Sequence, residues 1–105
     1  MKKKKRLILN EVLSKKEFTS FRKRFDVLMY VLGILVPLSV LPQLYNIWIL
    51  QDASGVSIIT WSLFLISAFI WLLYGYVHRY KPVIIANLMW IFSEVFIIVG
   101  VSIYG

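Results

Sequence analysis

The stretch from Val36 to Asn46 reads VPLSVLPQLYN and places two prolines and a glutamine inside a long apolar run. Proline lacks a backbone N–H, and its ring clashes with the carbonyl one turn earlier, so each costs about 3 kcal/mol in an ordinary helix interior. A membrane span tolerates such a break where neighbouring helices or a water-filled cavity satisfy the freed carbonyl groups. Pro37 and Pro42 therefore predict a bend that faces protein or a pathway, and Gln43 adds an amide that hydrocarbon cannot satisfy.

The composition is typical of a small membrane protein. Of the 105 residues, 60% are hydrophobic and 16% are aromatic, and no cysteine is present to form a disulfide or a metal–thiolate site. The net charge of +7 comes mostly from basic residues that precede residue 25, outside the apolar bulk. This distribution favours anionic lipid over nucleic acid as a partner.

Residues 1–25 form a basic segment ahead of the apolar part of the chain. Two basic runs, at residues 2–6 and 22–24, flank apolar residues at mostly helical spacing. The pattern is typical of an amphipathic helix that lies on a membrane, and a solvated, disordered tail is the alternative. We expect this segment to contact anionic lipids.

Three apolar segments follow, at residues 26–49, 57–77 and 82–104. At about 1.5 Å per residue, the first is about 36 Å long as a helix, enough to cross a hydrocarbon core of about 30 Å with tilt. The links between the segments are short and contain turn-forming residues, so neighbouring spans run antiparallel. The predicted fold is an all-α membrane protein, with a bundle of three transmembrane helices in residues 26–105 behind the basic segment.

Polar residues inside the spans are few, and their depths indicate a possible site. Trp71 precedes the end of the second span by six residues and Asn87 follows the start of the third by five, so each lies roughly 8–9 Å from the same membrane face. Glu94 is two turns beyond Asn87 on one helix face. A charged carboxylate at the bilayer centre costs several kcal/mol, so we expect Glu94 to be neutral, paired or in contact with a cavity.

Four groups of residues together resemble the SemiSWEET sugar transporters of the PQ-loop (MtN3/saliva) superfamily. They are Pro42-Gln43, the SGVS turn at 54–57 with Trp61 after it, FIWLLYG at 69–75 and PVIIAN at 82–87. The resemblance covers about residues 27–104 and rests on the order and spacing of the set. It implies a single PQ-loop repeat that pairs with a second copy as a parallel homodimer and moves sugars down their gradient by alternating access.

The resemblance also implies roles for individual residues. Trp71 and Asn87 are expected to sandwich and hydrogen-bond the sugar, and Pro42 and Gln43 to form a hinge. We add Pro37 to the candidate hinge because it is the second proline of the predicted bend. Simple physics agrees with a dimer, because three helices packed about 8–10 Å apart fill their own centre, whereas two copies around an axis along the membrane normal can enclose a hexose.

The sequence departs from the family pattern at two side chains. The resemblance implies a gate that includes Tyr74, and where an arginine is expected one turn later this chain has His78, with Arg79 beside it. Glu94 is not expected in a plain sugar facilitator. We therefore treat Tyr74 and His78 as the candidate gate and Glu94 as a possible proton site.

The charge distribution and the family pattern predict opposite orientations in the membrane. Ten of the twelve Lys and Arg residues precede the first span, and the other two lie in the second link. Both groups fall on one side of the membrane, which the positive-inside rule predicts to be cytoplasmic. The family pattern would instead place the Pro-Gln end in the cytoplasm. We prefer the charge rule and expect the N-terminus to be cytoplasmic, in the cell (plasma) membrane.

Two other functions remain open from the sequence. Glu94 and His78 would favour a proton-coupled or amino-acid-type transporter of the same superfamily. The basic segment would suit a non-transporting membrane adaptor that holds lipid or a partner. The chain has no nucleophile–base pair, metal cluster or phosphate-binding loop, so we expect neither an enzyme nor a cofactor or metal.

Overall fold

The three apolar segments are helical in the computed structural model, which describes residues 1–105. Its four helices are α1 (Lys2–Leu38), α2 (Leu41–Trp48), α3 (Ile58–His78) and α4 (Lys81–Tyr104). α1 and α2 together, α3, and α4 are each long and apolar enough to cross a membrane. The predicted fold class, an integral membrane protein with three transmembrane helices, is confirmed.

The bend in the first span lies at Ser39 and Val40, between α1 and α2. Pro42 is in the first turn of α2, where the missing N–H costs little. A continuous helix would need that N–H to bond the Leu38 carbonyl, and the proline ring would clash with the same carbonyl. The N–H groups of Ser39 and Val40 instead bond carbonyls three residues earlier, at 3.0 and 3.1 Å. The predicted bend is therefore present next to Pro42, whereas Pro37 lies inside α1.

The basic segment and the first span form one helix. α1 runs from Lys2 to Leu38 without a break, which makes it about 55 Å long at 1.5 Å per residue. The longest dimension of the molecule is 75 Å, and every residue from 1 to 29 is exposed. The basic segment is thus a helix that continues the axis of the span, and its contact with lipid stays a prediction.

α4 is the central helix, because it packs against α1, α2 and α3. Glycines allow the close approach of its neighbours. A Cβ atom on Gly33 of α1 would lie 3.1 Å from the Ala86 Cβ, and one on Gly75 of α3 would lie 2.9 Å from Val83 Cγ1. These two contacts pack α1 and α3 closely against the N-terminal half of α4.

The buried core lies at the opposite end of the bundle, beside α2. Its members are apolar and come from α2, the bend, the first link and α4: Val40, Ile47, Ala53 and Ile97. Trp48 at the end of α2 donates from Nε1 to the Phe96 carbonyl of α4 at 3.1 Å, and its ring meets Tyr104 edge-on with centroids 5.9 Å apart. The short helix after the bend is therefore fastened to α4.

Only nine of the 105 residues are buried. A three-helix unit of this size leaves most of its large apolar side chains exposed. In a membrane protein such a surface contacts lipid or another protein chain, so the helices do not have to cover one another.

The link between α2 and α3 is ordered by Asp52. Ser54 donates to Asp52 Oδ1 from its hydroxyl at 2.6 Å and from its backbone N–H at 3.0 Å. These hydrogen bonds, the hydroxyl first, hold the pKa of the Asp52 carboxyl below its ordinary value of 3.8. Gly55 follows with a φ of +78°, and Ser57 then caps α3 by accepting from the Thr60 N–H at 3.2 Å.

Candidate functional site

A cavity of about 270 Å³ lies between α3 and α4. Half of its lining residues are aromatic and three are polar: Trp61, Phe64, Ser67, Ala68 and Trp71 lie on α3, and Asn87, Trp90 and Glu94 on α4. On each helix these residues recur at spacings of three or four, apart from Ser67, so each helix contributes essentially one face. The cavity brings together Trp71, Asn87 and Glu94, the three residues that the sequence placed at informative depths.

Asn87 is held in place by its own helix. Its side-chain Nδ2 donates to the Val83 carbonyl at 2.8 Å, one turn earlier on α4. An amide has two N–H groups and an accepting oxygen, and this side chain makes no other hydrogen bond within the chain. One N–H and the oxygen are therefore available to a molecule in the cavity.

Trp71 is 53% exposed although it lines the cavity. Its ring meets Tyr74 edge-on, with centroids 5.6 Å apart and an interplanar angle of 80°. This contact covers one edge of the indole, and much of its remaining surface is exposed. The cavity is thus open on the side where Trp71 lies.

Glu94 is the most unusual member of the cavity. It is only 4% exposed, and its Oε2 atom is buried with no hydrogen-bond partner. A buried polar group without a partner costs about 1–3 kcal/mol, and more when charged. The structure shows contact of Glu94 with a cavity, and no side chain pairs with its Oε2 atom; a neutral carboxyl stays a prediction.

The candidate hinge residues lie apart from this cavity. Pro37 is fully buried and lines a second apolar groove, between α4 and the region around the bend. Pro42 is exposed and Gln43 half-buried, and neither lines the cavity that contains Glu94. The structure therefore does not bring Gln43 and Glu94 together in one cavity.

The candidate gate residues form an aromatic group at the end of α3. The His78 ring lies 4.5 Å from that of Tyr74 and is stacked on Tyr80, with centroids 5.4 Å apart and an interplanar angle of 14°. Tyr74 also contacts Trp71. A continuous chain of aromatic contacts thus leads from the cavity to the link between α3 and α4.

Several lining residues were not assigned to the site from the sequence. Trp61 served only to mark the resemblance, and Phe64 and Trp90 were given no role. Periodicity is the signal that could have placed them in the site. Residues 61, 64, 68 and 71 repeat at helical spacing and so share one face of α3, and residues 87, 90 and 94 share one face of α4. Helical spacing could not predict that Tyr80 joins the candidate gate, because Tyr80 lies in the turn after α3 ends at His78.

No family model matches the chain. In a comparison with curated proteins, the chain is 32% identical over 81 residues to a protein of Vibrio sp. (strain N418) named "Sugar transporter SemiSWEET". The aligned region covers 75% of this chain and 84% of the Vibrio protein.

Proposed function

Because this chain belongs to the SemiSWEET family of sugar transporters, we propose that it moves mono- or disaccharides across a membrane and is not an enzyme. The observation that carries the proposal is the cavity, in which Trp71 and Asn87 lie on facing helices. An indole face suits the apolar C–H face of a sugar ring, and the free oxygen and N–H of the Asn87 amide suit its hydroxyls.

The transporting unit is a parallel homodimer in this proposal. A single cavity of about 270 Å³ is just below the range of about 300–1,000 Å³ that is usual for ligand sites, and it is open at Trp71. Two copies related by an axis along the membrane normal, a known transporter plan, would close the open sides against each other. The sugar would then meet Trp71 and Asn87 twice.

Alternating access requires a part that bends and parts that close. The bend at Ser39 and Val40 separates α1 from α2, while Trp48 fastens α2 to α4. This arrangement supports a hinge in which α1 moves relative to the rest of the first span. The aromatic group of Tyr74, His78 and Tyr80 is suited to close the other end of the pathway. The simplest form of this cycle is that of a facilitator, which moves sugar down its gradient without an energy source.

The test is sugar flux in proteoliposomes. Trp71→Ala and Asn87→Ala should each lower flux at low sugar concentration by about 5- to 150-fold while leaving the dimer intact, because each loses about 1–3 kcal/mol of sugar binding. Asn46→Ala is a matched control, since Asn46 is exposed on α2 and lines no part of the cavity. Normal flux in both cavity variants would overturn the assignment of the site.

The same assay separates a transporter from a membrane adaptor. No residue of the basic segment lines the cavity, so removal of residues 2–24 should preserve flux. A protein that acts only as an adaptor would carry no sugar with or without these residues.

Glu94 supports a second candidate, proton-coupled or amino-acid-type transport. None of the other cavity residues titrates, and neither do the residues of the groove between α4 and the bend. Glu94 is therefore the one protonatable group at these surfaces. Uptake driven by an imposed proton gradient, and lost in Glu94→Gln, would favour this candidate over a facilitator.

We also propose an orientation with the N-terminus in the cytoplasm of the cell membrane. The basic residues of α1 and of the link between α3 and α4 share one side, which the positive-inside rule makes cytoplasmic. On the continuous helix, Arg22, Lys23 and Arg24 adjoin the span and would meet anionic headgroups, whereas Lys2 lies about 30 Å farther along α1. The chain has no cysteine, so labelling of a single introduced cysteine from either side tests the orientation.

A further inference from the structure

Glu94 is not needed by the sugar site described above. Trp71 and Asn87 together supply an apolar face, a donor and an acceptor, which suffice for a neutral sugar. The carboxyl of Glu94 is nevertheless buried in the same cavity with one oxygen unpartnered. Such a group is expensive unless something in the cavity binds it.

The protomer offers no cation to Glu94. Ten of the twelve Lys and Arg side chains precede residue 25, and the other two are Arg79, directly after α3, and Lys81, the first residue of α4. The single histidine, His78, is stacked on Tyr80 in the aromatic group. When the carboxyl is ionised, its positive partner therefore has to be a molecule that enters the cavity from outside.

The remaining walls of the cavity suit a cation as well. Trp61, Trp71 and Trp90 line it together with Glu94. A cation within about 6 Å of an indole centroid is attracted to the ring face, and tryptophan is the best aromatic partner for it. A carboxylate adds a charge-assisted hydrogen bond, which is about twice as strong as one between neutral groups. A neutral sugar would use the indole faces but would leave the carboxyl without a counter-charge.

We infer that the preferred substrate is an amino sugar, a sugar whose ammonium group binds Glu94 while its hydroxyls bind Asn87. This inference rests on the proposed sugar transport and deepens it by naming the substrate class. The proposed dimer strengthens it, since two Glu94 side chains would then border one cavity. Two neighbouring carboxylates repel each other, and an ammonium group between them relieves the repulsion.

The experiment compares three labelled sugars of one ring type in proteoliposomes: glucosamine, glucose and N-acetylglucosamine. At about pH 6 a primary amine is protonated, whereas the acetylated amine carries no charge. We expect the wild-type kcat/KM for glucosamine to exceed that for either neutral sugar by about 10-fold or more, the size of a hydrogen bond to a charged group. Glu94→Gln should lower the ratio of glucosamine to glucose transport by a similar factor.

Ser93→Ala is the matched control variant. Ser93 adjoins Glu94 in sequence, but it lines the groove between α4 and the bend, and its hydroxyl donates to the Met89 carbonyl of its own helix at 2.9 Å. This variant should keep the wild-type ratio. A second measurement needs no variant: unlabelled glucosamine and N-acetylglucosamine compete with the uptake of labelled glucose by the wild type. The preference for glucosamine is therefore measurable even if Glu94→Gln does not fold.

The outcomes separate the two levels of the proposal. Equal wild-type transport or competition by the three sugars overturns the amino-sugar inference and leaves sugar transport standing. The inference is also overturned if the ratio of glucosamine to glucose transport is the same in Glu94→Gln and the wild type. Proton-driven uptake of neutral sugars without any preference for glucosamine would overturn it as well. Absence of flux for every mono- and disaccharide tested would instead contradict the proposed function itself.

Discussion

Replacement of Pro42 by alanine should straighten the first span and slow transport. α1 ends at Leu38, one turn before Pro42, because a proline at this position offers no N–H to the Leu38 carbonyl. Alanine restores that donor and removes the ring that would clash with the carbonyl. α1 and α2 could then join in one helix across Ser39 and Val40.

The size of the effect follows from the place of Pro42 in the structure. In the bent form Pro42 lies in the first turn of α2, where proline is tolerated, so the substitution changes this form little. In the straight form the same residue is in a helix interior, where proline is about 3 kcal/mol less favourable than alanine. The equilibrium should therefore shift toward the straight form by up to about 150-fold, given a factor of ten for each 1.36 kcal/mol.

Counterflow in proteoliposomes and equilibrium sugar binding measure the two consequences separately. Pro42→Ala should bind sugar normally, because Trp71 and Asn87 are on other helices, but its exchange rate should fall by about 10-fold or more. Pro82→Ala is the matched control, since Pro82 also lies in the first turn of its helix but follows a link. A normal exchange rate in Pro42→Ala would mean that the proline is a static kink and would refute the hinge.

Two further predictions concern stability. Trp48→Phe keeps an aromatic ring but removes the hydrogen bond to the Phe96 carbonyl, so unfolding in detergent should become easier by about 1 kcal/mol; an unchanged melting temperature would contradict a fastening role. For Asp52, the pKa of the folded carboxyl lies below the ordinary 3.8 because of its Ser54 hydrogen bonds, so its contribution to stability is present above that pH and is lost as the pH falls below it. Asp52→Asn should remove this part of the pH dependence of stability. Acid unfolding curves of equal steepness for the variant and the wild type would show that the hydrogen bonds from Ser54 contribute nothing.

The spans and the bend could be predicted from the sequence because they depend on local chemistry. A run of about 20 apolar residues is long enough to cross a bilayer wherever it occurs. Pro42 cannot donate to the Leu38 carbonyl, and the bend lies one turn before it, whereas Pro37 lies inside α1 without ending that helix. Counting the rise per residue likewise sufficed to put Trp71 and Asn87 at one level.

The rest of the cavity depends on the rotation of helices about their own axes. Close packing of Gly75 against Val83 fixes which face of α3 meets α4, and it brings Trp61 and Trp90 to the cavity. Depth along a span contains no information on that rotation. For this reason no count of residues along the spans could show that Gln43 lies outside the cavity that contains Glu94.

The uninterrupted course of α1 gives the protein a lever arm. The tip at Lys2 is about 55 Å of helix away from the bend, so a rotation of only about 10° there would swing the tip through roughly 10 Å. A small rearrangement inside the bilayer would thus be magnified outside it. A spin label or fluorophore on a cysteine introduced near Lys5 would read out the motion of the first span at a distance where it cannot disturb the cavity.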